Sequence, residues 1–260
     1  MFKFGSNDVN FNVIKSYPNT NFLIYGGKAY LNKRPLTSST PAPVGYINLD
    51  EMNPGRGSAY IYPYLPKGSS LISLKSITAT SLNADYDYGD DMIGTYSMSA
   101  SYSKFYHAGS TQSPVLSAMT TTMRRAYNRL STKFNTDYSS TNCAWLDIPS
   151  IFYGSEIQKG SVHLKFYVSG NFVAELNDLN RNGELIQVSG STTGSVEGLE
   201  MYTHGIVLLT GSTALDADFT ETYDTTVGAD NPKWLYFAGT GSGVYKSSFS
   251  IDFKGTTYTP

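Results

Sequence analysis

The sequence has little of the material from which metal sites, nucleic-acid interfaces and membrane spans are built. Its single cysteine, Cys143, excludes an intramolecular disulfide and a multi-cysteine metal site. Only 15% of the 260 residues are charged and the net charge is −2, so no basic field exists to hold phosphates. No apolar run approaches the ~20 residues of a membrane-spanning helix. The first residues also lack the apolar stretch of a secretory signal. We therefore expect no nucleic-acid or membrane partner and an unreactive, partly buried thiol.

Tyrosine is the abundant residue, with 21 copies against 2 tryptophans. Its ring favours half-buried pleated surfaces and its hydroxyl favours wet interfaces. With 14% aromatic residues, the composition is not that of a disordered chain. The length suits one large β domain or two small ones. We predict an N-terminal β region over residues 1–110, forming a separate small domain or arm, and a helix plus antiparallel β domain over 111–260.

Apolar and polar residues alternate with a period of two along three segments, which predicts strands with one packed face. These segments are Ile93–Phe105, Val162–Val168 and Phe249–Phe253. In the second, Leu164 and Phe166 point one way, while His163 and Lys165 point the other. Turn residues separate further predicted strands, which are Phe22–Leu31, Ser58–Tyr64, Leu71–Thr80, Phe172–Leu176, Glu184–Val188, Gly205–Thr210 and Trp234–Ala238. The predicted fold is mainly β, an antiparallel sandwich or barrel-like sheets.

One segment has helical periodicity, from about Pro114 to Phe134. Ser113 suits a helix N-cap and Pro114 the first helical position. The apolar stripe consists of Leu116, Met119, Met123, Tyr127, Leu130 and Phe134, and predicts a helix packed across a sheet. Arg125, Arg129 and Lys133 follow on the polar side, either as a stripe for nucleic acid or as a solvated face whose cations suit the helix C-terminus. The scarcity of basic charge elsewhere favours the solvated face.

No catalytic, cofactor or metal residue is predicted, although several motifs were candidates. His107, His163 and His204 have no ligand-like spacing. Asp178–Gly183 matches the first half of a calcium loop, but Ser189 stands where a bidentate carboxylate is needed. A β-hairpin with positive φ at Asn-Gly is favoured over a bound cation. The glycine-rich stretch 239–243 lacks a following helix, so it predicts a hairpin loop rather than a phosphate site.

The densest acidic cluster consists of Asp85, Asp87, Asp90 and Asp91, interleaved with Tyr86 and Tyr88. It is either an exposed loop tip or a contact for sugar or a cation, because tyrosine rings stack on sugars and carboxylates accept hydroxyl hydrogens. A pair of carboxylates for glycoside hydrolysis would meet only in the fold. The loop tip is the favoured interpretation.

The region from about Pro114 to Pro260 resembles uncharacterised structural proteins of tailed bacteriophages. The resemblance lies in the order of an amphipathic helix, a Ser/Thr/Asn-rich loop, the segment IPSIFYGSEIQKGSVHLKFYVSG at Ile148–Gly170, and the later blocks NGELI, GIVLLTG and SSFSIDFKGTTYTP. It implies a virion component repeated in a symmetric assembly, made in the host cytoplasm, and it carries over no catalytic residues. Pro149, Gly154 and the Lys159-Gly160 turn also fit scaffold, because proline suits a strand entrance or a sheet edge.

The resemblance therefore implies a non-enzymatic protein of the tail, baseplate, neck or capsid surface. Its implied partners are other virion proteins and copies of itself. The alternative is a carbohydrate-binding β domain of a receptor-binding tip, with a host glycan as partner and Tyr86 and Tyr88 as contacts. A glycosidase or depolymerase has the weakest support in the sequence.

Overall fold

The computed structural model describes residues 19–25, 28–31, 60–61, 77–78, 94–97, 102–109, 112–223, 228–239 and 247–256. Its strands are β1 (Asn19–Tyr25), β2 (Lys28–Leu31), β3 (Tyr60–Ile61), β4 (Ile77–Thr78), β5 (Gly94–Ser97), β6 (Ser103–His107), β7 (Cys143–Asp147), β8 (Glu156–Ile157), β9 (His163–Val168), β10 (Asn171–Asn177), β11 (Glu184–Ser189), β12 (Val196–Met201), β13 (Ile206–Leu209) and β14 (Ser247–Thr256). Helix α1 is Pro114–Tyr127, and three short 3-10 helices are Thr132–Asn135, Ser150–Phe152 and Trp234–Tyr236.

Twelve strands form one antiparallel sheet, which confirms the mainly β prediction. Eleven lie in the order β5-β2-β1-β14-β9-β10-β11-β12-β13-β7-β6, and β8 pairs separately with β14; β3 and β4 form a second, two-stranded sheet. The strands at the two ends of the order, β5 and β6, are separated in the chain only by residues 98–102. Because an extended chain of that length spans at most about 22 Å, the two ends lie close together and the sheet curls into a half-barrel.

Two predicted strands are each a pair of strands. The segment Phe22–Leu31 contains β1 and β2, which pair with each other across the turn. The segment Ile93–Phe105 contains β5 and the start of β6, which pair with β2 and β7 respectively. Four strands from the region before residue 110 therefore belong to the same sheet as the later strands, while the domain boundary itself stays a prediction.

The inner face of the curled sheet encloses the larger hydrophobic core. Leu164, Phe166 and Val168 point inward from β9 as the alternation predicts, and His163 and Lys165 point outward. Phe22, Phe249 and Ile251 join them from the neighbouring strands. Register places these side chains in facing rows, Phe166 opposite Phe249 and Leu164 opposite Ile251. Burial of each such side chain stabilises the fold by roughly 1.5–3 kcal/mol.

The segment Trp234–Ala238 lies inside this core, and its prediction as a strand is wrong. Trp234–Tyr236 form a 3-10 helix instead, and all five residues of the segment are buried. The apolar run suited a buried strand, but core side chains surround the segment, and its Leu235 amide donates to the Gly211 carbonyl oxygen at 3.1 Å rather than to a strand of the sheet. The indole N–H of Trp234 donates to Gln187 Oε1 at 2.8 Å, which fixes the segment to β11.

Helix α1 packs on the outer face of the sheet. It begins at Pro114 as predicted, and the Ser113 side chain accepts a hydrogen bond from the Leu116 amide. The predicted end at Phe134 is wrong, because the helix ends at Tyr127. The reason is Ser131, whose backbone is extended and whose side chain caps the next 3-10 helix. Phe134 nevertheless stays on the packed side, stacked on Tyr127 at 5.3 Å between ring centroids.

The side chains beneath α1 come from strands β7, β12 and β13. The described members of this second core are Leu116, Met123, Tyr127, Phe134, Tyr138, Cys143, Leu199, Met201, Tyr202 and Leu208. Strands β7 and β12 were not predicted, since their sequences CAWLD and VEGLEM mix acidic and apolar residues without regular alternation. Within the described residues, no helix has the length and apolar character required to cross a membrane.

The segment Ile148–Ile157 closes one end of the half-barrel. Its Phe152, Tyr153 and Ile157 are buried, and β8 pairs with the last residues of β14. Tyr153 is held so closely that a Cβ on Gly255 would lie 2.2 Å from the Tyr153 carbonyl oxygen. A Cβ on Gly205 would lie 2.4 Å from its ring. The first part of the segment Ile148–Gly170, as far as Ile157, is therefore packed against the rest of the fold.

Candidate functional site

Asp178 ties together three turns at the end of the sheet where β9 begins and β10 ends. Its Oδ1 accepts a hydrogen bond from the Gly183 amide at 3.1 Å. Its Oδ2 accepts from the Gly160 amide at 2.7 Å and from the Tyr202 hydroxyl at 2.5 Å. Two motifs that are separate in the sequence, the Lys159-Gly160 turn and the calcium-like loop, therefore meet at one carboxylate.

The calcium-like loop is a β-hairpin, as predicted. Strands β10 and β11 flank it, and Asn182 Oδ1 accepts from the Glu184 amide in a local turn. Positive φ occurs at Gly183 (80°) as predicted, but its companion is Arg181 (56°) rather than Asn182. Both carboxylate oxygens of Asp178 accept hydrogen bonds from backbone amides or from the Tyr202 hydroxyl. In the described part of the chain, no group of three or more His, Cys, Asp or Glu side chains converges as a metal site requires.

Glu200 is a second carboxyl near Asp178, and it lies in the apolar inner face. The side chain is 0% exposed, and neither carboxyl oxygen has a hydrogen-bond partner. Strand register places it opposite Val207, which in turn lies opposite Leu146. Burial, reinforced by the negative charge of Asp178, raises the pKa of Glu200 well above its usual range. The folded protein therefore holds this proton up to a higher pH than an exposed glutamate would.

A buried acid with a raised pKa near a hydrogen-bonded carboxylate resembles the acid–base pairs of many hydrolases. Here Glu200 and Asp178 are 0% and 1% exposed, so no substrate reaches either side chain in this conformation. Tyr202 adds a structural contact, because Lys159 Nζ lies 5.4 Å from the centre of its ring. The arrangement supports turns rather than chemistry. Sequence reasoning missed Glu200 because an acidic residue within VEGLEM looks solvent-exposed.

The three histidines lie apart and each has a different role. His163 Nδ1 lies 2.9 Å from Glu175 Oε1 on the outer face of the sheet. His204 Nδ1 lies 2.8 Å from the Tyr127 hydroxyl, which also contacts the Thr203 hydroxyl at 2.6 Å. This group links the end of α1 to the turn between β12 and β13. His107 ends β6, and its Nε2 lies 3.0 Å from the Ser139 carbonyl oxygen.

Cys143 is more deeply buried than the partly buried thiol that we predicted, whereas the basic residues after Met123 are exposed as predicted. Cys143 is fully buried, and burial raises the pKa of its thiol to about 12, so it is an inert packing residue. Arg125, Arg129 and Lys133 are exposed. The regular spacing that would make them one helical stripe is broken, because α1 ends before Arg129.

A polar cluster in the long connection between β13 and β14 was not foreseen. Glu221 and Asp230 form a β-bridge, with backbone hydrogen bonds of 2.9 and 3.0 Å. Lys233 Nζ and the Tyr236 hydroxyl both donate to Asp230 Oδ2, at 2.7 and 2.6 Å. Partial burial of Asp230 opposes ionisation, but these donors prevail and lower the pKa of its carboxyl. The cluster fastens the connection over the packed Trp234 segment.

Two aromatic pairs remain on the outer surface. Phe105, 57% exposed, stacks on Trp145 with ring centroids 4.6 Å apart and planes 15° from parallel. Phe172, 46% exposed, meets Tyr167 edge-to-face at 5.8 Å. Large exposed aromatic side chains are typical of interaction surfaces when polar residues surround them. The alternation of β9 foretold the outward Tyr167, but nothing in the sequence singled out Phe105 or Phe172.

The acidic and tyrosine-rich stretch Asp85–Asp91 lies outside the described residues, as does most of the glycine-rich stretch 239–243. Comparison with known proteins found no match to any family model, any curated protein or any solved structure.

Proposed function

We propose that the chain is a non-enzymatic structural component of a bacteriophage particle. It acts in the tail, baseplate, neck or capsid surface through symmetric self-association and contacts with other virion proteins. The resemblance of residues 114–260 to phage structural proteins points to this role. The observation that carries the self-association is the exposed Phe105 of β6, the last strand in the order of the main sheet, stacked on Trp145 of the neighbouring β7.

The surroundings of this pair favour a protein contact. Trp145 is partly buried against the core under α1, so the surface beneath Phe105 is rigid. Phe105 has two side-chain torsions to immobilise, and aromatic side chains are enriched where protein surfaces meet. Its neighbours along β6, Ser103 and His107, carry no permanent charge, and across the strands the exposed carboxylate of Asp147 lies opposite Ser103 at the border of the pair.

The buried polar groups support a structural rather than a catalytic role. Buried Asp178 fastens two turns through their backbone amides, and buried Glu200 lies within the core. The partly exposed Asp230 binds the Lys233 and Tyr236 side chains. A subunit that must keep its shape in an assembly benefits from such ties, because the assembly stabilises only the correctly folded form.

The test has two measurements on the same protein. Light scattering on the purified chain should give a closed oligomer, and Phe105→Ala should shift it toward the monomer without lowering the melting temperature by more than a few degrees. Mass spectrometry of purified particles should find the chain. A monomer at all accessible concentrations, together with absence from particles, would overturn the proposal. So would turnover of a host polysaccharide by the purified chain.

A further inference from the structure

The second exposed aromatic side chain, Phe172, borders a polar surface that spans four neighbouring strands. On the outer face of β1, β14, β9 and β10, strand register aligns Asn21, Asp252, His163 and Asn177 in one row. The next row contains Ser250, Lys165 and Glu175, and the one after it contains Ser248, Tyr167 and Phe172. We call this surface the outer polar face. Helix α1 packs over other strands, β7, β12 and β13.

Polar side chains on the outer polar face contact one another. Lys165 Nζ lies 3.8 Å from Asp252 Oδ2, and His163 Nδ1 lies 2.9 Å from Glu175 Oε1. The Asn21 amide also donates to Asp252 and, at 3.1 Å, to the hydroxyl of Ser250, which is buried between these residues. Lys165 and Asp252 are partly exposed, with 31% and 33% of their side chains accessible. The face therefore presents fixed donors and acceptors.

The paired polar side chains and the exposed ring of Phe172 together indicate which class of ligand this face would bind. A nucleic acid or an anionic polymer would need a cluster of unpaired cations. Lys165 is paired with a carboxylate, and one further lysine, Lys254, is exposed in the adjoining row opposite Asn19. The core of a protein interface is depleted of charged residues, whereas this face contains several. A chain of uncharged sugars fits both features, because its hydroxyls exchange hydrogen bonds with carboxylates and amides. Its apolar C–H faces pack on an exposed aromatic ring such as Phe172.

The spacing supports the same ligand. Adjacent strands lie about 4.8 Å apart, close to the length of one pyranose unit in an extended glycan. A glycan running across β14, β9 and β10 would therefore meet one polar side chain per sugar. The rows hold their side chains through cross-strand contacts, so little ordering is required on binding.

We propose that the outer polar face, with Phe172 at its border, binds an uncharged oligosaccharide. This goes beyond the proposed role in the particle, because it assigns a ligand class to a surface distinct from the Phe105–Trp145 pair. It also places glycan binding on residues other than Tyr86 and Tyr88.

The test is a glycan microarray of neutral gluco-, galacto-, manno- and N-acetylglucosamine oligomers, printed beside sulfated and sialylated ones. The bound oligomer is then titrated calorimetrically as a free oligosaccharide, so that affinity is measured per protomer and does not depend on assembly. We expect binding to at least one neutral oligomer and a loss of about tenfold or more in affinity for Phe172→Ala.

The matched control is Phe105→Ala, which removes an equally exposed ring from the same side of the sheet. It should leave the affinity within about twofold while weakening self-association, and Phe172→Ala should do the reverse. Failure of glycan binding and failure of assembly are therefore distinguishable. Binding of no neutral oligomer, binding of anionic ones alone, or an equal loss in both variants would overturn the inference.

Discussion

The Tyr202 hydroxyl donates to Asp178 Oδ2 at 2.5 Å, and the Gly160 amide donates to the same oxygen at 2.7 Å. Asp178→Ala would leave these donors and the Gly183 amide unsatisfied in a buried site. We expect the free energy of unfolding to fall by about 3–5 kcal/mol, measured by denaturant titration. Asp218→Ala, at an exposed position in the β13–β14 connection, should change it by less than about 0.5 kcal/mol.

Calcium binding at Asp178 would distinguish a cation site from a simple hairpin in the loop Asp178–Gly183. If Asp178 serves only backbone and hydroxyl donors, the melting temperature of the unmodified protein should be equal in calcium and in a chelator. A clear rise with calcium would contradict the hairpin assignment, because a ligand that binds only the folded state stabilises it.

The buried Glu200 predicts a dependence of stability on pH. Its pKa is raised in the folded protein, so the folded state holds this proton more tightly than the unfolded chain. The stabilisation is complete below the unfolded pKa and is lost as pH rises through the folded pKa. We therefore expect the free energy of unfolding to fall as pH rises from the usual pKa of a glutamate through the raised pKa of Glu200.

Glu200→Gln removes this titration without removing the side chain. The variant should have a flatter pH profile and should be more stable than the unmodified protein at the alkaline end. Denaturant titrations at several pH values measure both. Parallel profiles for the two proteins would show that Glu200 is not the group responsible.

Met123 tests the packing of α1. Met123 is 0% exposed in the second core, beneath α1. Met123→Asp therefore places an unpaired charge there and should abolish soluble folding or assembly. Arg125→Glu lies on the exposed side and should cost about 0–1 kcal/mol. Thermal melts and a filter-binding assay with nucleic acid measure the outcome. A soluble, assembled Met123→Asp protein, or nucleic-acid binding lost in Arg125→Glu, would contradict the solvated-face interpretation.

Gly255 tests the closed end of the half-barrel. Because a Cβ there would lie 2.2 Å from the Tyr153 carbonyl oxygen, Gly255→Ala forces the backbone of β14 or of Tyr153 to move. We expect a loss of stability clearly larger than for Gly170→Ala. At Gly170 the strain comes only from its φ of 80°, with nothing near the added carbon, and should cost about 1–2 kcal/mol. Equal melting temperatures for the two variants would contradict the close approach.

Local patterns in the sequence predicted those elements whose packing follows from neighbouring residues. The alternation of Leu164, Phe166 and Val168 predicted their inward face, and Ser113-Pro114 predicted the start of α1. The Trp234 segment was mistaken for a strand because an apolar run has no period that separates a strand from a buried 3-10 helix. Ser131 ended the helical run through a cap that the periodicity of the apolar stripe does not reveal.

The candidate sites depend on contacts between distant residues, which single-sequence patterns do not contain. The hairpin at Asp178–Gly183 was predicted, but the partners of Asp178 outside it, Gly160 and Tyr202, are brought to it only by the fold. Glu200 looked solvent-exposed until strand register placed it opposite Val207. The outer polar face needs the register of four strands, and two of them, β1 and β14, come from opposite parts of the sequence.

The pairing of β1 with β14 has a consequence for synthesis. Asn21 and Ser250 bond to each other across 229 residues, and β14 also joins β1 to β9. At ribosomal rates of about 5–20 residues per second, β1 waits about 10–45 s for this partner. During that time the strands from β9 to β13 are already available for pairing in sequence order. In the nascent chain the β1–β2 hairpin is therefore not yet joined to the strands from β9 to β13. The pairing of β14 with β1 and β9 is the last to form.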